Sequence, residues 1–234
     1  MRKIIHKSDS RGQSVYDWLD SRHTFSFDQY FDPERIHFGA LRVLNDDRVA
    51  AGKGFGTHPH KNMEIISIPL SGSLRHGDSK MNRKVVTPGD IQTMSAGTGI
   101  YHSEMNDSET DPVEFLQIWV MPRQNNTEPH YQDYDIRPLL KKNELALIVS
   151  PDDQAPATML QDVWFSIGEV EAGNTIEYKL HSSHMGVYVF LIEGEIKIDN
   201  TTLERRDGMG IYDTDSIEID VKKDAHILLI EVPM

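Results

Sequence analysis

Turn-forming residues punctuate this chain every eight to twelve positions, and the short segments between them are rich in Val, Ile, Leu, Phe and Tyr. That spacing suits strands rather than helices and predicts an all-β sandwich or barrel. Residues 39–44, 63–70, 114–120 and 187–192 are clear examples. Residues 175–180 and 217–221 alternate apolar with polar side chains, so each should bury one face and wet the other. One short helix is expected over residues 15–19, with Ser14 as its N-cap. Residues 123–143 are polar and proline-dotted and lack a sustained strand pattern, which makes them a connection between an N-terminal domain, 1–122, and a C-terminal domain, 144–234. Residues 68–74 and 190–196 echo one another as an apolar strand, a glycine turn and a returning strand, consistent with an internal duplication.

The 234 residues carry 24 Lys and Arg against 37 Asp and Glu, a formal net charge of −13. An excess of that sign argues against a nucleic-acid backbone or an anionic membrane as the main direct partner. No run approaches the roughly 18 apolar residues of a membrane-spanning helix, and the first residues lack the apolar stretch of a signal peptide, so a cytoplasmic protein is expected. The chain has no cysteine. Disulfides, thiolate catalysis, iron–sulfur clusters and thiolate zinc sites are thereby excluded, and any metal must sit among nitrogen and oxygen ligands.

Two short echoes supply such ligands: His58-Pro59-His60 and His102-Ser103-Glu104. Side chains two apart on a strand share a face. Each echo can therefore aim two ligand atoms at one point, and together they offer three imidazoles and a carboxylate. That set suits one divalent first-row transition metal, and a metal accepting six ligands would keep two positions open.

The residues around the echoes are patterned as well. Gly52 opens a stretch that runs through Gly54, Gly56, His58, His60 and Glu64 to Gly72, similar to the first motif of the cupins. A second stretch from Gly89 through His102 to Asn106 resembles the second cupin motif, with two residues added before the histidine and Ser95 in place of the usual proline. The insertion Ser95-Ala96-Gly97-Thr98-Gly99, the core Gly56-Thr57-His58-Pro59-His60 and the upstream run from Arg22 to Pro33 together resemble the pirin family. The likeness is close over residues 15–122 and looser beyond. It implies a bicupin, two jelly-roll-like β-barrels in one chain, with iron or a similar metal (Ni, Cu, Mn, Co or Zn also fit) held by the N-terminal barrel. The family's metal ligands match His58, His60, His102 and Glu104.

Glu64, a ligand in some cupins, is then expected to play a supporting or structural part. The glycine-rich 95–99 segment lacks the lysine of a phosphate-binding loop and reads as a turn beside the metal. In the second half His181 and His184 stand three apart, and no His-x-Glu follows, so the C-terminal barrel is expected to hold no metal and His181 to lie on a polar strand face.

Several pirins act as quercetin 2,3-dioxygenases, so the resemblance implies a polyphenolic substrate, dioxygen, and oxidative opening of a flavonol ring by a monomeric enzyme. Glu104 is the candidate base for the flavonol hydroxyl. Phe25, Phe27, Phe55 and Met63 are candidate lining residues for a flat substrate. Two rival readings use the same scaffold. One is a metal- or redox-sensing protein that regulates a transcription factor or enzyme through a protein partner. The other is a metal-dependent isomerase that turns over without oxygen.

Overall fold

The computed structural model describes residues 1–234. In the first half the strands are β1 (Arg2–His6), β2 (Gly12–Tyr16), β3 (Leu19–His23), β4 (Leu41–Val49), β5 (Gly54–His60), β6 (Glu64–Ser71), β7 (Leu74–Asp78), β8 (Arg83–Val86), β9 (Asp90–Ser95), β10 (Ile100–Asn106), β11 (Val113–Val120) and β12 (His130–Asp135). The second half adds β13 (Ala146–Ser150), β14 (Ala157–Thr158), β15 (Trp164–Val170), β16 (Thr175–Lys179), β17 (Met185–Ile198), β18 (Thr201–Glu204), β19 (Gly208–Tyr212) and β20 (Ser216–Pro233). Only two short 3-10 turns interrupt the β structure, and no helix is long and apolar enough to cross a membrane.

The strands build the two jelly-roll-like barrels of a bicupin. The first barrel pairs a seven-stranded sheet, ordered β12-β9-β6-β11-β4-β3-β2, with a four-stranded one, β5-β10-β7-β8. The second is a single nine-stranded sheet bent on itself, with the long strands β17 and β20 paired along most of their lengths.

Burial on both strand faces explains why the apolar runs are continuous rather than alternating. On β17, Val187, Val189 and Leu191 fill the second barrel, while Tyr188, Phe190 and Ile192 point the other way into a core shared by both halves. On β20, Ile227 and Leu229 face inward and Leu228, Ile230 and Val232 face the shared core. The first half contributes Ile66 and Ile68 of β6 and Leu116, Ile118 and Val120 of β11 to that core, which numbers 25 buried residues and is the largest in the molecule. The second barrel is packed throughout with 15 apolar side chains. The inward faces of the first barrel are different: Ser67, His76, Gln92, His102, Glu104 and Gln117 are all buried there.

Three sequence expectations need correction. Residues 15–19 are not helical. Gly12–Tyr16 and Leu19–His23 form an antiparallel pair instead, because a five-residue helix cannot nucleate alone while Leu19–His23 finds ladder partners on β4. The 123–143 segment is not strandless: β12 pairs with β9 along its whole length. It was hidden because an edge strand with half-exposed faces carries the polar run His-Tyr-Gln-Asp-Tyr-Asp. The first strand, β1, leaves the first half and pairs with β19 of the second barrel. Finally, the glycine of the internal echo is a corner in each half rather than a hairpin turn. Gly72 passes the chain from one sheet to the other, and Gly194 sits at a bulge within β17. Both have positive φ, and a Cβ would fall 2.6 Å from the Pro112 carbonyl oxygen at Gly72 and 2.2 Å from that of Asp224 at Gly194.

Candidate metal centre

Strand register brings the two echoes together. His102 on β10 lies opposite His58 on β5 and Asp78 on β7, and Glu104 lies opposite His76. A bulge between His102 and Glu104 lets β5 carry an extra residue, so that Glu104 faces Phe55 rather than Gly56. The ligand nitrogens of His58, His60 and His102 fall within 4.8 Å of one another. Their rings stand at steep mutual angles, with centroids 4.4 Å apart for His58 and His102 and 4.8 Å apart for His58 and His60.

The surroundings prepare these rings as ligands. The Nδ1–H of His58 donates to the Gly56 carbonyl oxygen at 2.8 Å, which leaves the lone pair of Nε2 free to coordinate. Burial pulls the pKa of His60 down to about 4, helped by the neighbouring His58. His102 is pulled further, to about 2, first by burial and then by His58, His60 and His76. Both rings are therefore neutral at pH 7, the state that can coordinate. His102 is 1% exposed, yet neither of its ring nitrogens has a hydrogen-bond partner. A buried polar group without a partner costs about 1–3 kcal/mol. An ion held by the three imidazoles would take up the lone pair of one of those nitrogens, so the residues fit a transition metal in both donor chemistry and geometry.

Glu104 is not part of the triad. Its side chain is buried on the same inward face of β10, where Oε1 accepts from Ser67 Oγ at 2.8 Å and Oε2 accepts from Gln117 Nε2. Burial raises its pKa above the usual carboxylate range, against the opposing pull of Ser67, His76, His58 and Gln117. Glu64 stands apart too, with Oε2 accepting from Ser95 Oγ at 2.6 Å.

A second buried network lies behind His102. Gln92 Nε2 donates to His76 Nδ1 at 3.1 Å, so His76 Nε2–H donates to Asp78 Oδ2, also at 3.1 Å. Burial pushes the Asp78 carboxyl up, but bonds from Asn82, His76 and Lys80 outweigh it and hold the group below its ordinary value. The His76 ring stacks on Tyr131 and lies 5.4 Å from that of His102, between centroids. His76 and Asp78 obey the same two-apart rule as the metal echoes, and that rule alone would have found them.

Of the expected lining residues, Phe25 belongs to the shared core and packs on Tyr188 and His6, while Phe55 packs on Trp18 against a separate apolar cluster of the first half. Phe27 and Met63 do approach the site, through Trp119. The Trp119 ring stands edge-on to His60 at 4.8 Å. Sequence reading missed it because it sits in the apolar run of β11. In the second half His181 is tied by its backbone N–H and its Nδ1 to the buried carboxylate of Glu231 and stacks on Trp164, and it joins no imidazole cluster.

Comparison with known proteins agrees with this architecture. The pirin family model matches residues 5–120, and a model described as the quercetinase C-terminal cupin domain matches residues 147–232. The chain is 38% identical over 234 residues to quercetin 2,3-dioxygenase of Escherichia coli (strain K12), covering 98% of each chain. It superposes on the crystal structure of YhhW from Escherichia coli with a TM-score of 0.94 at 37% identity, covering 99% of this chain and 98% of that one. The bacterial pirin YhhW of Escherichia coli in complex with nickel(II) gives a TM-score of 0.93 at 36% identity, covering 99% of both chains. With its fold, its histidine triad and both family models in agreement along nearly the whole length, the chain belongs to the pirin family.

Proposed function

We propose that this protein is a metal-dependent dioxygenase that opens the ring of a flavonol such as quercetin, with one divalent transition metal held by His58, His60, His102 and Glu104. The convergence of His58 and His60 on the unpartnered, buried His102 carries the reading. Similarity along the full chain to a quercetin 2,3-dioxygenase supports the substrate class. Iron is the metal the resemblance favours, and the donor set equally admits nickel, copper, manganese, cobalt or zinc.

A metal bound there would supply a Lewis-acidic, redox-capable centre with open positions for substrate and oxygen. The chain's own residues do the rest. Gly56 fixes the tautomer of His58. Glu104, its pKa raised by burial, takes the proton of the flavonol 3-hydroxyl onto a carboxylate oxygen, and Ser67 and Gln117 hold that carboxylate in place. Trp119, with Phe27 and Met63 behind it, offers an apolar wall beside His60 for a flat ring system.

The test is oxygen uptake with quercetin by protein reconstituted with each metal in turn. Metal-dependent uptake, with both atoms of labelled dioxygen in the ring-opened product, is expected. Turnover that continues without oxygen, or no uptake with any metal, would contradict the reading.

A further inference from the structure

A cavity of about 490 Å³ on the seam between the barrels shares no residue with the histidine site. None of its lining residues is hydrophobic, and four of the eight are arginines: Arg11, Arg22, Arg205 and Arg206. They come from both halves. Arg11 lies between β1 and β2, Arg22 is on β3, and Arg205 and Arg206 form the turn between β18 and β19. In a chain of net charge −13, four guanidiniums turned to one cavity run against the overall field.

The inner pair is incompletely neutralised. The side chains of Arg11 and Arg206 are each only 5% exposed and share one carboxylate, Asp46, at 3.3 and 3.4 Å. Glu193 reaches Arg206 only at 3.8 Å. The Nη1 of Arg11 and the Nε and Nη1 of Arg206 are buried without a hydrogen-bond partner. Arginine cannot shed its proton to escape this cost, and leaving charged donors unpaired is more expensive than leaving neutral ones. Phe190 closes one side, its ring centroid 5.8 Å from the Arg11 guanidinium. The outer pair is differently placed: Arg22 leans on Asp20 and Arg205 on Glu193, each at 2.9 Å, and both side chains are partly exposed. Asp9 is the remaining acidic side chain of the lining.

We propose that this cavity binds a phosphate group, as free phosphate or on a small phosphate monoester, and that the bound anion bridges the two barrels. Several guanidinium forks converging on one space match a tetrahedral oxyanion with an oxygen for each, which a single carboxylate does not provide. The location explains the consequence. A ligand touching Arg11 and Arg206 at once stabilises the docked arrangement of the halves by mass action.

The experiment is calorimetric titration and thermal unfolding of the full chain with inorganic phosphate, glycerol phosphate and acetate, at matched ionic strength in chloride. Saturable phosphate binding with a rise in Tm is expected, roughly ten-fold tighter than acetate. Tighter binding of glycerol phosphate identifies a monoester as the natural form, and equal or weaker binding identifies free phosphate. Arg206→Met should abolish binding. Because that residue is buried and its loss could unfold the turn, the partly exposed Arg22→Gln and Arg205→Gln form the second arm, and their combination should weaken phosphate by roughly ten-fold. Metal content at the histidine site should not change. A response no different from chloride, meaning a cavity filled by water and adventitious ions only, overturns the proposal, as does phosphate binding that ignores Arg22→Gln with Arg205→Gln.

Discussion

At the scale of single residues, metal binding turns on His102. A buried imidazole with two unpartnered nitrogens is a cost the fold accepts only if something else fills it. Replacing Glu104 by Gln keeps its size and the bond from Ser67 but removes the carboxylate and the acceptor for Gln117 Nε2; flavonol turnover should fall by roughly a hundred-fold or more, as for loss of a general base, with a loss of stability no larger than that of Gln117→Leu. Gln117 is the control, since Gln117→Leu leaves the Glu104 carboxylate buried with one partner fewer and should cost stability, by about 1–3 kcal/mol in urea unfolding. His6 gives a pH prediction. Wedged between the barrels, with Nδ1 2.8 Å from the Tyr188 hydroxyl, its pKa drops from 6.5 to about 4, chiefly through burial and further through Arg35, with Asp32 opposing. The unfolded chain therefore binds a proton below pH 6.5 that the folded chain refuses until about pH 4. Stability carried by the neutral ring is intact above that window and is lost as pH falls through it. The difference in Tm between wild type and His6→Gln should shrink from pH 7 to pH 4, and a difference independent of pH would refute the assignment. The triad was legible in the sequence because ligands two apart need only local geometry. Ser67, Gln117 and Trp119 were not, because nothing in an apolar strand says which polar or aromatic residue will meet which partner across the barrel.

At the scale of elements, the period of burial separates what could be read from what could not. Strands β6, β11 and β17 announced themselves through continuous apolar runs, and the structure shows why: one face fills a barrel and the other fills the seam. Ile118 is buried completely on the seam face of β11, and Ile118→Ala should cost about 2–5 kcal/mol in chemical unfolding. Strand β12 stayed hidden because an edge strand half open to solvent needs no apolar run. Gly97 ties the two kinds of element together. It has φ +47°, a Cβ would lie 2.1 Å from the Thr127 carbonyl oxygen, and its own carbonyl accepts from Asn62 N–H. The 95–99 insertion thus pins the approach to β10 against both β5's exit and the lead-in to β12. Gly97→Ala should lower Tm by several degrees, in line with the about 1–3 kcal/mol stored at strained backbone positions, and a Tm equal to wild type would show the turn to be adaptable.

At the scale of the whole molecule, the two barrels differ in what fills them. The second is packed mainly with apolar side chains, and its buried carboxylate, Glu231, is taken up by Tyr178 and His181. The first reserves its interior for polar groups around the triad. The duplication was faintly visible in the sequence, through the echo of residues 68–74 in 190–196. Which surfaces join the halves was not visible, because inward and seam-facing residues are equally apolar. A shared core of 25 residues, with β1 crossing to the second barrel, should make the molecule unfold as one unit. A single calorimetric transition is the expected outcome, and two resolved transitions would contradict it. The most direct test of the central claim is metal content per chain after reconstitution, for wild type, His102→Ala, His58→Ala and His181→Ala. One equivalent is predicted for wild type and His181→Ala, and a near-complete loss for the two triad variants. Undiminished metal in His102→Ala, or loss of metal in His181→Ala, would show that the ion sits elsewhere.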